Sequence, residues 1–232
     1  MVESLLNLEP KKKTRGVNAL SKKQALTEFH RSSILAAAKE LFAEHGIEKT
    51  TMDDIARKSE YSKATLYVYF QSKEEIVNAI LLSNMKLLQK KIQTAIDTNA
   101  NWFHAYDAIC AAIFRFYSEN PAAYEVVGSD GIIDLNGAKL DETIQEIIKE
   151  NDATDKLLED FLRKGAAEGI VRIGLSPAEI VVQFWAMLSG LVQMADSKSN
   201  YLAHCLKIER EEFLRHGARM LLDAITKGRT VE

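Results

Sequence analysis

Cysteine, proline and glycine are all scarce in this chain: two, three and eleven among 232 residues. Two thiols, Cys110 and Cys205, cannot build the multi-bridge framework of a small secreted domain. Each stands in a mostly apolar, helix-compatible stretch, which reads as a small buried hydrophobe in a reducing compartment. Few prolines and glycines leave little turn material, and no alternating apolar/polar run signals a strand. Abundant Ala, Leu, Ile, Glu and Lys favour helix throughout. The fold class expected is all-α. The most apolar stretch, Ile180 to Met194, is too short to span a bilayer and carries two glutamines. Lys11 to Lys13 are followed by polar residues rather than an apolar core, so no signal peptide is read and a cytoplasmic setting is expected.

Signs of catalysis are missing as well. The histidines His30, His45, His104, His204 and His216 have no metal-binding spacing. There is neither a nucleophile-elbow glycine pattern nor a phosphate loop. Asp130 and Asp134 share a glycine-containing stretch and read as a turn rather than a metal site. The expectation is a protein without enzymatic activity, metal or cofactor.

What is present is an uneven charge distribution. The net charge is −3, yet Lys11 to Lys73 holds thirteen basic and seven acidic residues. A basic first third on an acidic body suits a chain whose N-terminal part meets phosphate. Residues 1–26 read as a basic flexible arm: from Lys11 to Lys23 there are six basic side chains and no acidic one. Helix 1 should start between Ser21 and Glu28, with Ile34, Leu35, Ala38, Leu41 and Phe42 along its inward face.

The stretch from Gly46 to Glu75 is the most informative. Gly46 can adopt the left-handed conformation that closes a helix. Thr51 with Asp54 makes a capping-box-like start, and Ile55 and Ala56 follow as small apolar positions. Ser62 can cap a second short helix in which Leu66 and Phe70 lie four apart on one face. Ser72-Lys73-Glu74-Glu75 opens a third. A short helix, a tight turn and another short helix form a helix-turn-helix, whose second member can enter a DNA major groove.

The residues Thr50-Thr51-Met52-Asp53-Asp54-Ile55-Ala56, Ser62-Lys63-Ala64-Thr65-Leu66-Tyr67, Tyr69-Phe70 and Ser72-Lys73-Glu74-Glu75 resemble the DNA-binding domain of the TetR (tetracycline-repressor) family over roughly residues 27–80. Two positions depart from that pattern. Glu60 stands in the turn where glycine is usual, and Val68 where a polar residue, often histidine, is common. A non-glycine residue in a left-handed conformation costs about 1 kcal/mol.

The resemblance implies a helix-turn-helix domain over 27–75 and a larger helical ligand-binding and dimerisation domain over 76–232. It also implies a dimeric repressor, released from a palindromic double-stranded DNA operator by a small, largely apolar ligand. An architectural DNA-binding protein of the same fold, or an activator, are the alternatives. At the DNA end, Thr50, Thr51, Lys63 and Lys73 are placed at helix N-termini as donors to phosphates. Ser62, Ala64 and Thr65 lie at the start of the recognition helix, where small side chains allow close approach to base edges. Tyr67 follows Leu66 and so points outward; the resemblance implies that it contacts phosphate or base. Val68 sits beside it. Two such half-sites should lie about one helical turn apart, roughly 34–36 Å, or a multiple of it.

The remaining helices are expected from Lys73 to Ile96, Asn101 to Glu119, Ala122 to Val127, Leu140 to Gly169 with a possible break at Asn151-Asp152, Ser176 to Asp196, and Asn200 to Lys227. The start at Ser176-Pro177-Ala178-Glu179 combines a cap, an N1 proline and a returning carboxylate. Gly128 to Gly137 reads as a loop. The dimer surface is expected from Ile180, Phe184, Met187, Leu188 and Leu191, with His216, Met220 and Leu221 opposite. Trp102, Phe103, Tyr106, Phe114, Tyr117, Tyr124, Gln183 and Trp185 are the candidate lining of a ligand pocket.

Overall fold

A computed structural model describes residues 14–119, 142–172 and 174–227. Helices α1 (Thr14–His45), α2 (Met52–Lys58), α3 (Lys63–Tyr69), α4 (Lys73–Asp97), α5 (Trp102–Glu119), α6 (Glu142–Ala167), α7 (Pro177–Ser197), α8 (Ser199–Tyr201) and α9 (Arg210–Lys227) follow one another, and no strand occurs among the described residues. The all-α expectation holds. The chain forms two compact units that divide between Ile76 and Val77, inside α4. The expected helix Ala122–Val127, the loop Gly128–Gly137, Tyr124, Asp130, Asp134 and the first thirteen residues of the basic arm lie outside the described residues.

In the first unit α1 starts earlier than expected. Residues 14–26, read from sequence as part of an arm, are helical. They contain no proline, and Ala, Leu, Lys and Gln continue a helix readily. At its other end α1 closes on Gly46, whose φ is +81° and whose N–H donates to the Phe42 carbonyl at 2.9 Å. Ile34, Ala38, Leu41 and Phe42 are buried, as are Ile55, Ala56, Leu66, Phe70 and Ile76, so three helices and the first turn of α4 share one small core.

In the second unit α7 packs against α5, α6 and α9, and α5 contributes a long buried stripe from Trp102 to Tyr117. Asn101 caps α5, its Oδ1 accepting from the N–H groups of Phe103 and His104 at 2.9 and 3.1 Å. The Trp102 indole then lies flat on Phe161 of α6, with ring centroids 4.7 Å apart and planes 6° from parallel. Its Nε1–H donates to the Phe161 carbonyl at 3.1 Å. Gly165 makes this approach possible: a Cβ there would stand 2.5 Å from Trp102 Nε1. α6 passes through Asn151-Asp152 without a break, because both residues are exposed and Thr154 returns its hydroxyl to the Glu150 carbonyl at 2.9 Å. Gly169, with φ +71°, ends the turn after α6, and Arg172 N–H donates to the Ile225 carbonyl of α9 at 2.9 Å.

α7 starts where expected, with Ser176 and Glu179 capping each other reciprocally and Pro177 in the first turn. The continuous final helix expected from Asn200 is corrected. α8 runs into a π-helical turn, Leu202–Leu206, and Lys207 takes a left-handed conformation at φ 56°. That geometry ends the helix, and α9 restarts at Arg210, held to Asp196 of α7 by an ion pair of 2.7 Å. Gly217 allows α9 against α7; a Cβ there would meet the Leu191 methyls at 2.5 Å.

Replacing Gly165 by alanine should destabilise the protein by about 1–3 kcal/mol, the usual cost of overpacking a close contact, measured by urea unfolding. Gly190, with open space around its Cα, should accept alanine without loss of unfolding stability. The two thiols should also separate. Cys110 is buried, and burial above all pushes its thiol up to about 12, whereas Cys205 is exposed. At pH 8 a disulfide reagent should modify Cys205 promptly and reach Cys110 only after unfolding.

Candidate nucleic-acid interface

The first unit presents α3, and local chemistry sets its boundaries. Thr51 caps α2: its Oγ1 accepts from Asp54 N–H at 3.2 Å, and Thr51 N–H donates to Asp54 Oδ2 at 3.1 Å. Arg57 pairs with the same carboxylate. The hydrogen bonds from the Thr51 side chain and backbone hold the Asp54 carboxyl below the usual carboxylate range. Glu60 then turns the chain at φ 61°, the left-handed conformation foreseen for the position where glycine is usual. Tyr61 N–H reaches the Ala56 carbonyl at 3.0 Å and completes the turn.

Ser62 caps α3, accepting from Thr65 N–H at 3.1 Å. Leu66 and Phe70 point inward and are fully buried. Lys63 and Ala64 face outward, as do Tyr67 and Val68, the last 73% exposed. A short helix thus shows one small, mostly uncharged face, with a phenol and a valine at its centre and Lys63 at its start. The Lys63 ammonium lies 2.7 Å from Asp53, a bond that raises its pKa above the ordinary lysine value. Thr65 is half-buried, and its hydroxyl shares a 2.7 Å hydrogen bond with Ser62.

Two expected phosphate donors have other tasks. Thr50 is 1% exposed and donates its hydroxyl to the Gly46 carbonyl at 2.8 Å. The Lys73 ammonium donates to the carbonyls of Ile47, Thr50 and Glu48 at 2.8, 3.2 and 3.3 Å. Both residues tie the loop between α1 and α2 to the start of α4. Sequence reasoning anticipated their position and missed their partners, which lie as far as 26 residues away.

It also passed over His30 and Arg31. His30 Nδ1 lies 2.6 Å from the Tyr61 hydroxyl, and its ring contacts Tyr69 at a centroid distance of 5.4 Å. Arg31 donates to the Tyr69 carbonyl at 2.7 Å and stacks its guanidinium 4.2 Å from the Phe70 ring centre. These contacts brace the turn before α3 and the end of α3 on α1. Two polar residues immediately before a buried apolar stripe, facing tyrosines, were the available signal.

In the second unit the expected pocket residues separate. Tyr106 and Gln183 line a cavity of about 80 Å³ between α5, α6, α7 and α9, where the Tyr106 hydroxyl donates to the Ala218 carbonyl at 2.9 Å. Tyr117 and Trp185 line a larger one of about 320 Å³ between α4, α5, α6 and α7. Trp102 is core, Phe114 packs partly buried against it, and Phe103 is 40% exposed. Of the expected dimer residues, Ile180 and Leu188 are buried within the subunit's own core, with Phe184, Leu191 and Leu221 partly so. Met187, His216 and Met220 face outward.

A braced helix-turn-helix in one unit and an all-helical second unit define a DNA-binding regulator. The profile described as "Bacterial regulatory proteins, tetR family" matches residues 34–80. SrpR, an HTH-type transcriptional regulator from Pseudomonas putida, is 23% identical over 207 residues, covering 87% of this chain and 92% of its own. The HTH-type transcriptional repressor KstR2 of Mycobacterium tuberculosis is 29% identical over 154 residues, 66% of this chain and 74% of that one. The crystal structure of the TetR-family regulator PfmR from Thermus thermophilus superposes with a TM-score of 0.62 at 26% identity, covering 84% of this chain and 95% of that one. Residues 34–80 thus carry the DNA-binding domain of tetR-family regulators, and over most of its length the chain is similar to transcriptional regulators of that family. Its relatives are regulators of transcription rather than enzymes.

Exchanging Lys73 for methionine leaves three carbonyls without their ammonium donor. The loss should be about 1–3 kcal/mol of unfolding free energy, with DNA affinity falling in parallel as the α1–α2 loop loosens.

Proposed function

We propose that the protein is a dimeric repressor acting in the cytoplasm, which leaves a palindromic operator when a small, largely apolar ligand binds its second unit. In this reading residues 27–75 form the DNA-binding domain, and 76–232 the effector and dimerisation domain. The observation that carries it is the two-sided character of α3: Leu66 and Phe70 are buried, while Lys63, Ala64, Tyr67 and Val68 are offered outward. Ser62 stands at the entrance of α3 beside Lys63, where a hydroxyl and an ammonium suit phosphate oxygens, whereas the N–H and hydroxyl of Thr51 are held by Asp54.

A single small module gives modest affinity, so a second copy is proposed to join through α7 and α9. Met187, Met194 and Met220 are 42%, 49% and 73% exposed, an apolar surface that suits helix packing. Ligand release is proposed to act through α4, which starts beside the helix-turn-helix at Lys73 and continues as the first helix of the other unit. A ligand that favours a spacing of the recognition helices unsuited to the operator would weaken binding by about 1–3 kcal/mol, roughly 5- to 150-fold. The larger cavity favours this regulated reading over a purely architectural one.

Selection from a random duplex pool, followed by footprinting, tests the proposal. A palindrome with half-sites about 34–36 Å apart, or a multiple of that, is expected. Protection without sequence preference would replace the repressor reading with an architectural one. On the selected duplex, Tyr67→Phe should weaken binding by about 1 kcal/mol, near fivefold, without changing thermal stability. Light scattering should give a dimer for the parent and a folded monomer for Met220→Asp; a monomeric parent would defeat the dimer.

A further inference from the structure

The larger cavity of the second unit has a chemistry that narrows what can fill it. Phe116 and Tyr117 on α5, Leu88 on α4 and Trp185 on α7 supply apolar and aromatic wall. Val182 and Ala186, both exposed, stand at its outer edge. The neutral polar groups are Asn84, Asn151, Thr154 and Ser189, and among the described lining residues Asp155 is the one charged side chain.

Asp155 is held in a fixed pose. Trp185 Nε1–H donates to its Oδ1 at 2.9 Å, and the Asn151 amide donates to Oδ2 at 3.3 Å. Both donors are neutral. The charged groups that act on this carboxylate are two further carboxylates, Asp152 and Glu159. Burial first, and then these like charges, push its carboxyl above the usual range against the pull of the two hydrogen bonds. Lys86, on the neighbouring stretch of α4, is engaged at the surface by Glu146 at 3.2 Å. A half-buried carboxylate aimed into an aromatic cavity, with no basic side chain among the described lining residues, is electrostatically incomplete.

We propose that this cavity binds a lipophilic cation: an alkyl- or arylamine, or a quaternary ammonium, whose charge sits against Asp155 and whose body lies on Trp185, Tyr117 and Phe116. The inference rests on reading the second unit as the effector-binding unit. The aromatic faces add attraction for the cation, and the apolar wall removes the body from water. A carboxylate, phosphate or thioester-linked nucleotide ligand would instead bring negative charge against Asp155, with no lysine or arginine among the described lining residues to offset it. Asp155 therefore acts as a specificity-determining residue for ligand charge.

Three probes of similar size separate the possibilities on the full chain: benzyltriethylammonium, neutral 4-phenylbutanol and anionic 4-phenylbutyrate. Titration by calorimetry and by tryptophan fluorescence should show the cation binding at least about tenfold more tightly than the alcohol, with the anion weakest, as expected of a charge-assisted contact. Asp155→Asn keeps an oxygen for the Trp185 N–H, and should bring the cation close to the alcohol while leaving the alcohol unchanged. If that variant does not fold, the ranking of the three probes on the parent protein decides. An alcohol or anion that binds more tightly than the cation, or no binding by any probe, overturns the assignment. Adding each probe to the complex with the selected duplex distinguishes the two readings. A cation that binds yet leaves DNA affinity unchanged at saturation retains the site and removes ligand release. Release by the alcohol or anion alone retains the switch and removes the cationic site.

Discussion

Trp102 sits flat against Phe161, its indole N–H on the carbonyl of that same residue, in a space that Gly165 leaves open. Much of the second unit follows from this contact. It sets the rotation and axial position of α5 against α6 at the first turn of α5. Tyr106, one turn along α5, is thereby aimed at the small cavity beside α9, and Tyr117, farther along, at the large one beside α4. Tyr106 and Tyr117 stand about three turns apart on nearly one face of α5, so the two cavities are separated along the helix axis. A flat aromatic stack with a buried hydrogen bond is directional as well as apolar, so it fixes rotation in a way that aliphatic packing alone does not.

The first unit solves a different problem. Its core is small, and α2 and α3 have only seven residues each, too short to be stable helices by themselves. Stability therefore has to come from ends and cross-links. Thr51 and Ser62 cap the two helices, and Lys73 gathers three carbonyls of the loop before α2. His30 and Arg31 hold the far side through Tyr61, Tyr69 and Phe70. This arrangement frees the outward face of α3 from any structural duty. Ala64, Tyr67 and Val68 can then be chosen for what they touch outside the chain. The left-handed Glu60 is tolerated because Tyr61, just after it, is anchored by both its backbone N–H and its hydroxyl.

Charge divides the same way. Surface pairs such as Lys63–Asp53 and Lys58–Glu40 join exposed side chains and contribute little to stability. Their effect is to position cations around the helix-turn-helix. In the second unit Asp155 is a half-buried acid among aromatic rings, and its field is weakly screened by solvent. The first unit pairs its surface cations with carboxylates, while in the second Asp155 is the one charged side chain among the described residues lining the larger cavity.

The legible parts of this protein were the local ones. The closure of α1 at Gly46, the capping boxes at Thr51 and Ser176, and the left-handed turn at Glu60 all depend on residues within about four positions of one another. Such chemistry is written in the sequence and survives any tertiary arrangement. Helix starts and stops without strong local signals were not legible: α1 reaches back to Thr14, and Lys207 interrupts what reads as one continuous final helix. Site residues were legible only as types. The amino-acid order determined that the chain would be helical, would carry a helix-turn-helix and would be rich in aromatic wall. Only the tertiary structure decided that Lys73 and Thr50 face their own loop, that Tyr106 and Tyr117 serve separate cavities, and that Asp155 meets Trp185 from 30 residues away. Partners at that separation are set by how whole helices rotate and pack, and no local pattern encodes that rotation.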